Sequence, residues 1–210
     1  MERNRIRIGD PGPALTFIFT MLTMCIWGVY AGIYTGPTSL AVGLVQLACF
    51  LPYLICSILF YLREDTMMGS ICLIFAVLFG GVGGFLSIAE GLSHLYGFEM
   101  SSQLSAIPFF WGAVSLLPLL LSIRKTASAI SFLCFSGVVV FLTLITLVSF
   151  GILSEAANVA IKWICLFVAV SGLYTFVNSL LRIGGSRTMP EGKPLFKEKL
   201  EPIHKTFDAR

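Results

Sequence analysis

Six long apolar runs dominate this chain, and they constrain its fold more than any other feature. They cover residues 14–34, 39–62, 68–89, 106–123, 127–150 and 157–181. A bilayer core about 30 Å thick is crossed by about 20 apolar residues in α-helix. Inside hydrocarbon the helix satisfies every backbone polar group within its own segment. Each run carries at most one formal charge, placed at an end. The expected fold class is therefore an all-α membrane protein of six transmembrane helices. Composition agrees: 57% of the 210 residues are hydrophobic and 12% are charged, against about 25% charged in soluble domains. Mean hydropathy is +0.91. These values exclude a soluble enzyme, a nucleic-acid binder and a disordered regulator.

The connections are short and polar. Gly36 and Pro37 mark a tight turn, and the longest loop, residues 91–105, is too small to be a domain. Three regions follow: residues 1–13, an N-terminal segment with an opening motif; 14–181, the six-helix domain; and 182–210, a tail. The tail holds Pro190, Pro194 and Pro202 and is expected to be irregular. No basic segment followed by an apolar stretch and a small-residue cleavage site is present, so the first span is expected to serve as its own targeting signal. Of the 14 Lys and Arg, all but Lys162 fall at the end of the bundle that carries both termini. By the positive-inside rule both termini are expected in the cytoplasm, in a multi-pass protein of the plasma or bacterial inner membrane. The opposite loops are expected to hold Glu90, His94, Glu99 and Glu155.

Catalytic chemistry is missing. No His, Asp or Glu stands at the centre of a span, where such residues mark proton relays and ion pathways. No nucleophile–base set, metal-ligand cluster or phosphate loop is present, and neither an enzyme nor a cofactor or metal is expected. All six cysteines lie in spans and read as small apolar packers. The cluster Gly80, Gly81, Gly83 and Gly84 reads as helix contact, and is associated here with assembly into a closed ring.

What polarity the spans hold is mild. Thr16, Thr20 and Thr23 share one helix face, as do Ser171, Thr175 and Asn178. Gln46, Ser131 and Ser136 are scattered among other spans. Such hydroxyls either bond back to their own helix and join neighbours, or line a narrow path for a small polar solute.

The first span opens Asp10-Pro11-Gly12-Pro13-Ala14-Leu15, which resembles the Asn-Pro-Ala-Pro-Leu-Gly-Leu signature of the acetate uptake transporter family, the succinate–acetate permeases. Further matches keep the family order. They are Ala41-Val42-Gly43; Tyr61, Asp65-Thr66 and Gly69; Trp111-Gly112; Phe132, Phe135 and Ser136; Asn158-Val159-Ala160-Ile161; and Arg187-Thr188-Met189-Pro190-Glu191-Gly192. The chain resembles a divergent member, with Asp10 where the family has Asn. The resemblance implies six helices around one pore per subunit, a homohexamer, and a small carboxylate such as acetate or succinate as partner, with or without a co-transported proton.

From the hydroxyl stripe and the opening motif, the substrate pathway is expected to pass Asp10, Pro11, Pro13, Thr16, Thr20, Thr23 and Ser136. The resemblance also implies a constriction at Phe19, Phe75, Gly137 and Val138, where the family has Phe, Tyr and Leu. Gly137 would leave that constriction looser than the family's Leu, or is small because a neighbouring helix packs on it. Locally, Asp10 suits a helix cap and Pro11 a first turn. The free amides of that helix start suit a carboxylate ligand, for which the Asp10 carboxylate competes. Two readings from other classes stay open: a channel for a small neutral solute (amide, ammonia or water), and a membrane scaffold subunit that transports nothing.

Overall fold

The computed structural model describes residues 9–196, and every regular element among them is helical. α1 is Gly12–Tyr30. Asp10 accepts the Gly12 amide at 3.0 Å, and Pro13 sits in the first turn, where a missing N–H costs nothing. α2, Ser39–Leu62, follows a 3₁₀ turn at Gly36–Thr38 and contains Pro52. The third span is made of α3, Thr66–Phe75, a π-helical segment, Ala76–Val82, and α4, Gly83–Tyr96. Asp65 caps α3 by accepting the Met68 amide at 3.0 Å. α5, Ser102–Ile123, tolerates Pro108 and Pro118. α6, Ala129–Ser149, leads through a 3₁₀ turn at Glu155–Ala157 into α7, Asn158–Ile183. With the third span counted once, six helices among the described residues are long and apolar enough to cross a membrane. The chain has the build of a multi-pass membrane protein.

Two boundaries differ from the sequence expectation in ways that matter. The first span ends at Tyr30 rather than residue 34. The third continues to Tyr96, so Glu90 and His94 stand on α4, not in a loop. Gly91 explains this extension. A Cβ there would stand 2.8 Å from Leu40 Cα, so only glycine lets α4 close on the start of α2. Gly97 then ends the helix at φ 72°, with its amide on the Ser93 carbonyl at 2.8 Å.

The same device runs along the whole α2 contact. Cβ atoms at Gly43, Gly80 and Gly84 would lie 2.7 Å from the Gly84 carbonyl, 2.8 Å from Phe50 Cα and 2.8 Å from Leu47 Cγ. These residue pairs descend in one helix as they rise in the other, so the two spans are antiparallel. The glycine-rich third span thus spends its small face inside the chain. This corrects the association of those glycines with ring assembly. α1 pairs with α7 in the same antiparallel sense: Thr20 packs on Gly172, and the Phe17 and Phe176 rings lie 5.3 Å apart.

Both described termini lie at one end of the bundle, called the near end below; Tyr30, Ser39 and Glu90 mark the far end. At the near end Asp10 pairs with Arg63 at 3.2 Å. After α7 the chain is irregular, as its prolines suggest, yet it is docked. Buried Asn178 accepts the Met189 amide at 2.7 Å and donates to the Glu191 carboxylate. Tyr174 donates to the Pro190 carbonyl at 2.7 Å, and the Ile130 amide donates to the Glu191 carbonyl at 3.2 Å. This strap binds α6 to α7. Residues 1–8 and 197–210, with Arg3, Arg5, Arg7, Lys197, Lys199, Pro202, His204, Lys205 and Arg210, lie outside the described residues.

Candidate functional site

Three cavities follow one another through the interior of the bundle. The far one, about 210 Å³, is walled by Tyr30, Ser39, Gln46, Ser87, Glu90 and Ser149 among apolar neighbours. The middle one, about 20 Å³, lies among Phe19, Leu22, Thr23, Ile26, Gln46, Tyr53, Phe75, Phe79, Val138 and Phe141. The near one, about 110 Å³, is walled by Leu15, Thr16, Phe19, Met68, Ile71, Phe75, Ser131, Cys134, Phe135, Gly172 and Thr175. Ile26 and Gln46 belong to both far and middle walls, and Phe19 and Phe75 to both middle and near walls. The order follows from antiparallel packing, because α1, the third span and α6 each supply a successive turn to each cavity, with α2 lining the far and middle ones and α7 the near one.

The middle cavity holds about one water, since roughly 10–15 Å³ is needed for one. Its waist is a cluster of rings centred on Phe75, which is 3% exposed. Phe19 stacks on it at 5.9 Å and 12°, while Tyr53 and Phe79 meet it edge-on at 5.9 and 5.3 Å. At the far lip stands Gln46, 4% exposed. The Ser87 hydroxyl donates to Gln46 Oε1 at 2.6 Å. Gly83 leaves room for the amide nitrogen, which would lie 3.2 Å from a Cβ there. That nitrogen has no acceptor among the described residues, so it offers its protons to the cavity.

The threonine stripe divides. Thr16, Thr20 and Thr23 each donate to the carbonyl four residues back, on Gly12, Thr16 and Phe19, at 2.8–2.9 Å. Thr16 and Thr23 still face cavities with their lone pairs; Thr20 is spent on the α7 contact. Thr175 on α7 behaves like Thr16, donating to Ser171 at 3.0 Å.

Other sequence-singled residues take different places. Phe19, Phe75 and Val138 meet at the middle cavity, and Gly137 does not. A Cβ on Gly137 would stand 2.6 Å from Val168 Cγ2, so its smallness serves the α6–α7 contact. This corrects its assignment to the constriction. Ser136 bonds back to Phe132 at 2.8 Å and lines none of the three cavities. Asp10, Pro11 and Pro13 line none either, and the Asp10 carboxylate is taken by Gly12 and Arg63. Sequence reasoning missed Tyr53, Phe79 and Phe141 as wall residues, and it missed the Gln46–Ser87 pair. Nothing in a single sequence ties positions 41 residues apart.

Gly137→Leu should therefore lower stability by about 1–3 kcal/mol through overpacking. A fall in thermal midpoint in detergent, with any flux per folded molecule unchanged, is the expected result. A slower flux at unchanged stability would return Gly137 to the constriction.

Compared with known proteins, the chain matches no family model and no curated protein.

Proposed function

We propose that the chain is a channel or transporter for a small monocarboxylate, acetate first and succinate second, which crosses the membrane through a path inside one subunit. The observation that carries this reading is the file of three cavities, joined through shared walls at Gln46 and at the Phe19–Phe75 stack. Hydrophobic constrictions gate by excluding water. A solute passing one-water spaces between rings sheds most of its hydration. Moving a bare carboxylate through such a ring cluster costs several kcal/mol even after relaxation. The middle wall holds no Asp, Glu or His to exchange a proton. A proton that accompanies the solute through the waist would travel on the solute.

The same proposal puts the near end in the cytoplasm, supported by the gathering there of Arg63, Arg124, Lys125, Arg182, Arg187 and Lys193. Kinship to the acetate uptake transporters, a closed ring of copies and residence in the cell membrane belong to this proposal through the sequence resemblance. A neutral solute such as a small amide is the second reading, favoured by the one carboxylate on the far wall, Glu90.

Proteoliposomes given radiolabelled acetate, and acetamide as its neutral isostere, separate the readings. Acetate flux above protein-free vesicles across pH 5 to 8 is expected. Acetamide flux alone would select the neutral-solute channel. Movement of neither would leave the scaffold reading.

A further inference from the structure

The far cavity has an unbalanced charge. Glu90 on α4 is an ionisable acid in its wall, and no Lys, Arg or His joins it there. His94 stands one turn further out on the same helix, outside the wall, as do Glu99, Glu155 and Lys162 at that end. The other polar wall groups are uncharged at neutral pH: Tyr30, Ser39, Gln46, Ser87 and Ser149. A cleft lined by one sign of charge between low-dielectric walls concentrates the opposite sign and depletes its own. The inner groups ask for the same kind of visitor. Thr23 and Thr16 have used their protons on their own helix and present lone pairs, while the Gln46 amide presents protons. Together they suit a molecule that both donates and accepts hydrogen bonds and carries no negative charge.

We propose that the far cavity is an anion-rejecting vestibule in which Glu90 sets charge selectivity, so that what enters from this end is a small neutral hydrogen-bonding molecule, an undissociated carboxylic acid or its amide. Glu90 is a specificity-determining residue, acting by its field on the solute before the ring cluster is reached. The inference deepens the transport reading above, and its test is arranged so that the two can fail separately.

The vestibule's charge is read without any flux. Ser39→Cys places a thiol in the wall, and the detergent-purified full chain is treated with a cationic trimethylammonium methanethiosulfonate or an anionic sulfonate one. Rates are taken as the increment over the chain without the new thiol, and each is divided by the reagent's rate with a free thiol. The cationic reagent should be favoured roughly tenfold. Glu90→Gln should bring the ratio near unity, and Glu90→Lys should invert it. Val42→Cys, on the same wall, repeats the measurement should Ser39→Cys fail to fold. Equal normalised rates in the parent vestibule, or a preference that survives Glu90→Gln, would overturn the proposal. In proteoliposomes the ratio of acetate to acetamide flux at neutral pH should rise at least fivefold in Glu90→Gln; an unchanged ratio counts against it. A correct labelling pattern with no flux of either solute defeats the transport reading alone. Flux with a charge-blind vestibule defeats the Glu90 inference alone.

Discussion

A Gly91→Ala chain should fail to accumulate as folded protein, while Gly81→Ala should accumulate normally. The two glycines lie on the same span, Gly81 in its π-helical segment and Gly91 in α4, and they differ sharply in what a methyl group would meet. At Gly91 the new Cβ would lie 2.8 Å from both Cα and Cβ of Leu40 and closer still to its amide nitrogen. None of these atoms is the movable end of a side chain. Relief requires α2 and α4 to separate, which also opens the neighbouring contacts at Gly43 and Gly84. Overpacking a core costs about 1–3 kcal/mol, and a clash with backbone belongs at or above the top of that range. A domain holds only about 5–15 kcal/mol in total. At Gly81 the nearest atoms are the Ala76 carbonyl at 3.6 Å and the Phe50 ring at 3.7 Å, which is ordinary contact. Monodisperse elution in mild detergent, scored for both variants side by side, is the measurement. Equal behaviour of the two would show that the α2–α4 approach is not held by these glycines.

The second large effect is on flux. Phe19→Ala should raise solute flux roughly two- to tenfold and relax size selectivity. For the middle cavity to widen, the Phe19 ring must leave its stack on Phe75, and such a pair is worth about 0.5–1.5 kcal/mol beyond its buried area. Each 1.4 kcal/mol removed from a barrier is about tenfold in rate. Phe19 is only partly buried, so its truncation leaves the fold standing. Phe75, in contact with three rings, should behave otherwise. Its loss should cost about 3–5 kcal/mol of stability, and any gain in flux would come with poor yield. Flux per folded molecule of acetate and of a larger monocarboxylate, compared between parent and Phe19→Ala, is the decisive quantity. Unchanged flux and selectivity would remove the ring cluster from the path.

The six spans are legible in the sequence to within a few residues at most boundaries, because an uninterrupted apolar run leaves a membrane chain little alternative to helix. The exception at Glu90–Tyr96 has a physical cause. Gly91, Ser93 and His94 look like a loop by composition, and what keeps them helical is the packing of Gly91 on Leu40, a contact about 50 residues away in sequence. Gly137 teaches the converse lesson. The family resemblance put the constriction's Leu on Gly137, with Val138 adjacent, but adjacent helix positions point about 100° apart. Val138 faces the cavity, while Gly137 faces Val168. The docked strap was hidden for a third reason. Asn178 belongs to a small polar stripe of α7, and only the return of Met189 and Glu191 gives it partners. Thr16, Thr20 and Thr23 were correctly seen to share a face, but which of them a neighbouring helix covers depends on Gly172.

The π-helical segment Ala76–Val82 lies between the ring cluster at Phe75 and the polar wall at Ser87 and Glu90. A π turn takes in an additional residue for each hydrogen-bonded loop, so this segment preserves the angular phase between the two halves of the span. Deleting a single residue from it would let α geometry run through and would leave both halves of the span close to their present phase, because the π turn is where the additional residue is taken up. Deleting a residue from the regular helix on its near side would instead turn everything beyond by about 100°. Ser87 and Glu90 would then swing off the cavity wall, and Gly84 and Gly91 would swing off α2. In the descent of such a chain this stretch is thus the one part of the span where a one-residue change in length is absorbed. Among homologous sequences, a single-residue gap inside the third span should fall within residues 76–82, and other gaps should collect in the loops.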